Sequence, residues 1–497
     1  MGDRKQSSFV RVGTCHFRAT TLLMVTAAAL LIAPAVVADD DDGRKAAVDT
    51  IQRITGWRHD EPPESISQVS VVGKTITDVD AQSIVALKSI SWLNFADTRI
   101  SEEGLRLIAG LPNLEEIDLT NATVTDVGLR SFRGARKLVS LHVSHTAITD
   151  SSADTLASLT NLMVLDIRHN RVSSRTLERI GTLRNIVGLY VSGTGIDDEG
   201  MRHLKGWERL VFLIADDTRI SDQSMAVVGG FAKLKILNLS GTFVGDRGMA
   251  DIGRLANLQQ LNLSRTWIGD RGLFELRNLT ELTELNISGT WIGDLGLGAL
   301  GMKPDLRELD ASGTRLGDAG LAHLANFPQL EDLDISRTRV GDRGLESIRH
   351  TPELRRLVIE STRVGDAGME ILAKALSKDI PEWLVSLNLS GTMVGDRGMT
   401  LLRPVQLSFL DISGTRVGDL GLQALESQEE LYELRLRSTW ITDKGILRLL
   451  AKDDRLINLD VLDLRDVRVS AKAIDQLIAD RNRDRIIPFK IKIKRDP

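Results

Sequence analysis

His142, His145 and His169 lie within one short stretch of this chain, bracketed by Asp118 and Asp166. Imidazoles beside carboxylates ligate transition metals or change charge near neutral pH. With Ser144 close by, the stretch also holds the residue types of a hydrolytic triad. Eight histidines in 497 residues produce chance neighbours, so the sequence favours neither metal binding nor catalysis here. A second set is acidic: Glu284, Glu308, Asp310, Asp332 and Asp334 suit a basic peptide or a loosely held divalent cation, with solvated charge as the plainer reading. A third runs Phe243, Trp267, Trp291, then Arg315, Arg339, Arg363, then Met393, Arg416, Trp440. Trp and Arg dominate interface hot spots and also stack on each other or on sugars; otherwise they shield an edge. A fourth is apolar, Val164, Tyr190, Phe212, Ile214 and Ile236, either a contact patch or packing between curved strands.

These sets are positioned by a metre. One phrase returns every 24 residues, clearest in LNLSGTFVGDRGM, LNLSRTWIGDRGL and LNISGTWIGDLGL. Its Thr slot falls at Lys74, Thr98, Ala122, Thr146, Asn170, Thr194 and onward to Thr362. Looser returns follow at Thr392, Thr415, Thr439 and Val467. A fixed period of this size means a solenoid of about 17 units. Around Thr266 the apolar slots are Leu258, Leu261, Leu263, Ile268, Leu273, Leu276 and Leu279. The L-x-L step has period two and predicts a short strand. The later spacing of three predicts a short helix or 3₁₀ coil. Units stacked at about 4.8 Å give a parallel sheet on the order of 80 Å long. Asp four places after the Thr slot (Asp246, Asp270, Asp294, Asp318) is read as a cap on its own helical turn rather than as a catalytic row. The residues between the strand leucines, and the Ser row after them, are read mainly as solvated sheet surface.

The stretch LQQLNLSRTWI resembles the leucine-rich repeat signature L-x-x-L-x-L-x-x-N/C-x-L, with Thr in the Asn/Cys slot. LDIRHNRV carries the family's own Asn at Asn170, and TWITDKGI is similar to the cysteine-containing variant; the overall likeness extends to bacterial, internalin-like members. The resemblance covers about residues 66 to 480. It implies an α/β fold: a right-handed horseshoe with the parallel sheet on its concave face and short helices or 3₁₀ coils on the convex face. It also implies that the Thr slot replaces a buried Asn ladder.

The ends differ from the repeats. In residues 1–38, Arg4, Lys5, Arg11 and Arg18 precede an apolar run from Thr20 to Val37, and Val36-Val37-Ala38 offers a small-residue cleavage site. This reads as a signal peptide, with an uncleaved anchor as the alternative and the only membrane contact foreseen. Export places the chain in the periplasm, cell envelope or medium. Its removal takes the net charge from −5 to −8, which argues against nucleic acid as a partner. It also removes Cys15, the only cysteine, so the mature chain has neither a disulfide nor the thiolate that ubiquitin ligases of this repeat class need. Residues 39–65 form an N-terminal cap, with a short amphipathic helix at Arg44–Trp57 and a rigid joint at EPPES. Residues 481–497 form a C-terminal cap in which KIKIKR alternates like an edge strand. The six-residue expansion within Ala373 to Leu384 enlarges one convex segment.

The expectation is a non-enzymatic exported scaffold without cofactor or metal. It would bind another protein or a peptide through the concave face and the lip of Phe243, Trp267, Trp291, Arg315, Arg339 and Arg363. Tyr190, Phe212, Ile214, Glu308, Asp310, Asp332 and Asp334 would line the concave part. A carbohydrate-binding surface, an adhesin or an envelope spacer are the alternatives.

Overall fold

The computed structural model describes residues 41–55, 65–376, 384–450, 456, 458–482 and 492–494. The leader 1–38, most of the EPPES joint and most of the 373–384 expansion lie outside the described residues. Seventeen three-residue strands, from Gln68–Ser70 to Val461–Asp463, pair in parallel with the next in chain order, and Lys492–Lys494 adds an eighteenth. Register never slips: Gln260, Leu261 and Asn262 pair with Glu284, Leu285 and Asn286, one repeat on. The strands are short because only the central leucine is needed to fill the coil. Leu261, Leu263, Ile268, Leu273, Leu276 and Leu279 are all fully buried. Burying each such side chain contributes about 1.5–3 kcal/mol.

The return segments are α-helical, 3₁₀ or both. Asp270–Glu275 runs into the 3₁₀ turn Leu276–Asn278, whereas Asp342–His350 is 3₁₀ throughout. At the front, the capping helix begins at Asp41, earlier than the sequence suggests, and is described to Thr55. Its Ala47 and Ile51 are buried, and Arg53 pairs with Asp80 in the first coil.

Between strand and helix the chain makes a second line of contacts. Thr75–Ile76 pairs with Arg99–Ile100, and single parallel bridges such as Gly245 with Trp267 and Gly341 with Arg363 continue it coil by coil. The residue before the Thr slot turns the corner with positive φ, as Gly (Gly289, φ 65) or as a non-glycine residue (Arg265, φ 55).

Three side-chain rows recur along the coils, of which the Asp row joins each coil to the next, and two differ from their sequence reading. The Thr hydroxyl stays within its own coil: Thr266 Oγ1 donates to Leu263 O at 2.5 Å. Among the described residues, only Asn170 works as the family's Asn, accepting from Thr146 N–H at 3.0 Å and donating to Val143 O at 2.7 Å across the coil boundary. The aspartates do not cap their own helices. Asp246 Oδ1 accepts from Gly269 N–H at 2.7 Å and Gly272 N–H at 3.0 Å, both in the following coil. Asp342 does the same for Gly365 and Gly368 at 2.7 and 2.9 Å. The spacing signals a cap; it cannot say which helix receives it. The Gly two places after most of these Asp residues follows from this. A Cβ on Gly272 would stand 2.6 Å from Asp246 Oδ1. The Asn/Asp and Ser rows at the strand ends also interlock. Asn262 Oδ1 accepts from Ser264 N–H at 3.0 Å and Asp310 Oδ1 from Ser312 N–H at 3.0 Å. Asn262 and Asp310 are buried, so these rows close turns rather than face solvent.

One core slot turns polar in several coils, where Thr351 and Gln428 are buried as well. Lys303 occupies the position filled by Leu279 and Phe327 in the adjacent coils and is fully buried. Burial pulls its amine down to about 8. Its Nζ donates to Leu300 O at 2.6 Å, Arg277 O at 3.0 Å and Met302 O at 3.3 Å. Among the described residues, no buried side-chain polar atom lacks a partner.

Candidate binding surfaces

The lip is carried by the second contact line. Trp267 N–H donates to Val244 O at 2.9 Å and Trp291 N–H to Ile268 O at 3.0 Å. Arg315, Arg339 and Arg363 N–H donate to Ile292, Leu316 and Val340 O, each at 2.8 Å. Each of these residues sits between a buried Thr and a buried aliphatic residue, so its own side chain must point outward. Phe243, Trp267 and Trp291 are 55%, 68% and 60% exposed. The Phe243 and Trp267 rings meet edge to face, with centroids 6.4 Å apart and planes at 64°. The Arg315 guanidinium lies over Trp291, 4.4 Å from the ring centroid. Arg339 and Arg363 are exposed. Among the described residues, no carboxylate lies within ion-pair distance of Arg315, Arg339 or Arg363.

The concave apolar group presents less surface than its composition suggests. Tyr190 is only 5% exposed, and Val164 and Ile236 are also buried. A Cβ on Gly188 would lie 3.2 Å from Tyr190 Cε2, so the small residue makes room for the ring on its own strand. Only Phe212 and Ile214 remain half-buried. Burial, and then the charge of Asp166, push the Tyr190 hydroxyl up to about 12.

Beside this group is a polar network that sequence reading foresaw only in outline. Ser140 Oγ lies 2.9 Å from His142 Nε2, and His142 Nδ1 lies 3.8 Å from Asp166 Oδ2. The serine is Ser140, on the strand of His142, and not Ser144, which donates to Thr120. Arg168 clamps Asp166 with Nε and Nη2 at 2.9 and 2.5 Å and lies over the Tyr190 ring at 5.3 Å. Burial opposes both charges, yet His142 and Arg168 hold Asp166 at about 2, and Asp166 in turn raises His142 above its ordinary value. The order of groups is that of a hydrolytic relay, with its carboxylate held in a buried ion pair to Arg168.

His145 and His169 stand apart from His142 and stack face to face, with centroids 4.2 Å apart and planes at 23°. Ring nitrogens point along the ring plane, so a stack does not converge them on one metal. Among the described residues, no group of three or more His, Cys, Asp or Glu is placed to hold a metal ion.

The acidic residues do assemble across adjacent strands. Glu284 pairs in register with Glu308 and then Asp332, and Asp310 with Asp334. They are recessed, not solvated: Asp310 is buried and the others are half-buried. Arg356 Nη1 donates to Asp332 Oδ1 at 2.6 Å, and Gln260 Nε2 to Glu284 Oε1 at 2.8 Å. Among the described residues, no cation hydrogen-bonds Asp334, and Arg356 acts on it only through its charge. Burial and then Asp310 raise it to about 6, against the hydrogen bonds from Ser336.

Family models described as leucine rich repeat match residues 112–172 and, separately, 254–276, 278–301, 328–348 and 407–425. No curated protein matches the sequence. Similar solved structures include an internalin from Listeria monocytogenes, 18% identical over 74% of this chain and 95% of that one, with TM-score 0.52. A leucine-rich repeat protein from Leptospira interrogans is 16% identical over 92% of this chain and all of that one, with TM-score 0.50. The Arabidopsis receptor kinase HAESA, solved with the peptide hormone IDA and the co-receptor SERK1, is 14% identical over 84% of this chain and 77% of that one, with TM-score 0.45. At these identities the likeness is one of fold. With the unbroken register of the sheet and the family-model matches, the internalin and Leptospira likenesses show a leucine-rich repeat solenoid.

Proposed function

We propose that this protein is an exported, non-enzymatic scaffold that binds another protein or a peptide through its lip and the adjoining concave face. The observation that carries this reading is the row Phe243, Trp267, Trp291, Arg315. Large side chains of the types that dominate interface hot spots stand largely exposed on a backbone fixed by coil-to-coil hydrogen bonds. Solvent exposure of three successive aromatics costs stability without a partner to cover them. In the Ser140–His142–Asp166 group the carboxylate is clamped by Arg168 through two hydrogen bonds, which supports a structural role for it. Export rests on the basic lead, apolar run and cleavage site of residues 1–38.

The test is crosslinking capture from the cell-envelope fraction, comparing the natural chain with the Trp267→Ala, Trp291→Ala, Arg315→Ala variant. The expected result is a protein partner lost in the variant while circular dichroism is unchanged. Equal capture by both proteins would remove the lip from the binding surface.

A further inference from the structure

The lip changes character along its length, and that polarity specifies a partner. Its first part is aromatic: Phe243, Trp267 and Trp291. Its second is cationic, with Arg315, Arg339 and Arg363 on three consecutive coils and exposed. Elsewhere in the same coils some arginines are matched: Arg307 with Glu331, Arg337 with Glu360 and Arg356 with Asp332. In a chain of net charge −5, these three arginines line one exposed row without a carboxylate partner among the described residues. Arg315 joins the two parts, its guanidinium already placed over Trp291.

We propose that this row receives an extended acidic peptide segment of a protein partner, running across the coils. An apolar side chain of the segment covers Trp267 and Trp291, and carboxylates that follow it engage Arg315, Arg339 and Arg363. The spacing fits. Three arginines one strand apart span roughly 10 Å, and an extended chain places side chains of one face about 6.7 Å apart. Four or five residues bearing carboxylates therefore bridge the row. Guanidinium suits carboxylate because it offers two parallel donors. A sugar polymer fits the same surface less well. Sugars stack on flat aromatic faces, whereas Phe243 and Trp267 meet edge to face and one face of Trp291 is covered by Arg315. The proposal rests on the protein-binding reading above and adds the charge and direction of the partner.

The probe is a fluorescein-labelled peptide of two leucines followed by five glutamates, titrated into the full-length protein by anisotropy. Controls are the same peptide with lysine for glutamate, and polygalacturonate as competitor. The expected result is binding of the glutamate peptide alone, weakened by salt and at least about tenfold weaker for Arg339→Ala with Arg363→Ala. Arg339→Lys with Arg363→Lys should fall between. Equal affinity for the lysine peptide, or indifference to the double substitution, overturns the proposal. Polygalacturonate outcompeting the peptide through the same arginines overturns it in favour of an acidic polysaccharide. If envelope capture depends on the tryptophans but not on Arg339 and Arg363, the charge assignment fails and the protein-binding reading stands. If capture depends on neither, both fail.

Discussion

Coils near the front and coils in the middle of this solenoid solve the same problem with different residues. In both, a carboxylate from one coil caps the helix of the next. Asp150 is met by Ser173 through its amide at 2.8 Å and its hydroxyl at 2.6 Å, and by the Thr176 hydroxyl at 2.7 Å. Asp198 is met likewise by Ser221 and Ser224. From Asp246 to Asp396 the donors are backbone amides of glycines, as at Gly365 and Gly368. Hydroxyls can turn to another acceptor, including water, when their partner is removed. Amides in a closed coil cannot. The front coils thus hold their carboxylates with adaptable groups, and the middle coils with fixed ones in a space that admits no side chain.

That contrast orders the expected effects. Asp342→Ala strands two amides and should lower stability by about 3 kcal/mol, whereas Asp198→Ala strands one and should cost about 2 kcal/mol, since hydrogen bonds to charged groups contribute roughly 1.5–3 kcal/mol each. Urea unfolding of both variants measures the gap, and equal losses would erase the distinction between the regions. Next, Gly272→Ala forces a methyl toward Asp246 and should cost about 2 kcal/mol, in the range for overpacking. Gly272→Ser should cost less, because its hydroxyl can donate to Asp246 as Ser224 does to Asp198. A serine variant no better than alanine would mean that the hydroxyl design cannot be transplanted.

Acid separates the regions further. Burial resists the charge of Asp150, but its hydrogen bonds from Ser173 and Thr176 prevail and hold the carboxyl below its ordinary value. Its contribution is therefore present above about pH 4, the unfolded value, and is lost as pH falls through the folded one. Asp334 behaves oppositely. Raised to about 6, it takes up a proton on folding between its ordinary value near 4 and about 6, so the fold weakens as pH rises through that window. Asp334→Asn should raise the melting temperature at pH 7.5 and leave it unchanged at pH 4. A gain at both values would assign the effect to packing instead of charge. The smallest effect belongs to the turns: Ser361, at φ 53, replaced by glycine should gain less than about 1 kcal/mol, since relief of the left-handed conformation is offset by a more flexible unfolded chain.

The architecture was legible because it is periodic. L-x-L predicts the strand, and the 24-residue return predicts the parallel partner. The Asp-x-Gly step predicts a capped helix start, yet linear spacing cannot say that Asp246 serves Gly269 and not its own turn, because both lie one coil surface away. Burial was legible in the core and less so on the concave face. Asn262 and Ser264 look like solvated polar residues until the turn between them is seen. Tyr190 looks exposed until the room beside Gly188 is known. The outward direction of Trp267 and Trp291 could be read, since both stand between slots that must be buried. The Arg315–Trp291 contact could not, as it depends on rotamers of residues one coil apart.

Lys303 bears on how such a chain finds its shape at all. Coils this alike can pair with the wrong neighbour at almost no energetic loss, and a slipped coil would still bury its leucines. An amine placed in a slot built for leucine or phenylalanine makes one alignment distinguishable from the rest, because only there do the carbonyls of Arg277, Leu300 and Met302 converge on it. Lys303→Leu should therefore leave the folded protein about as stable, yet increase the misassembled fraction recovered after rapid refolding. A buried amine thus serves as the core's index mark.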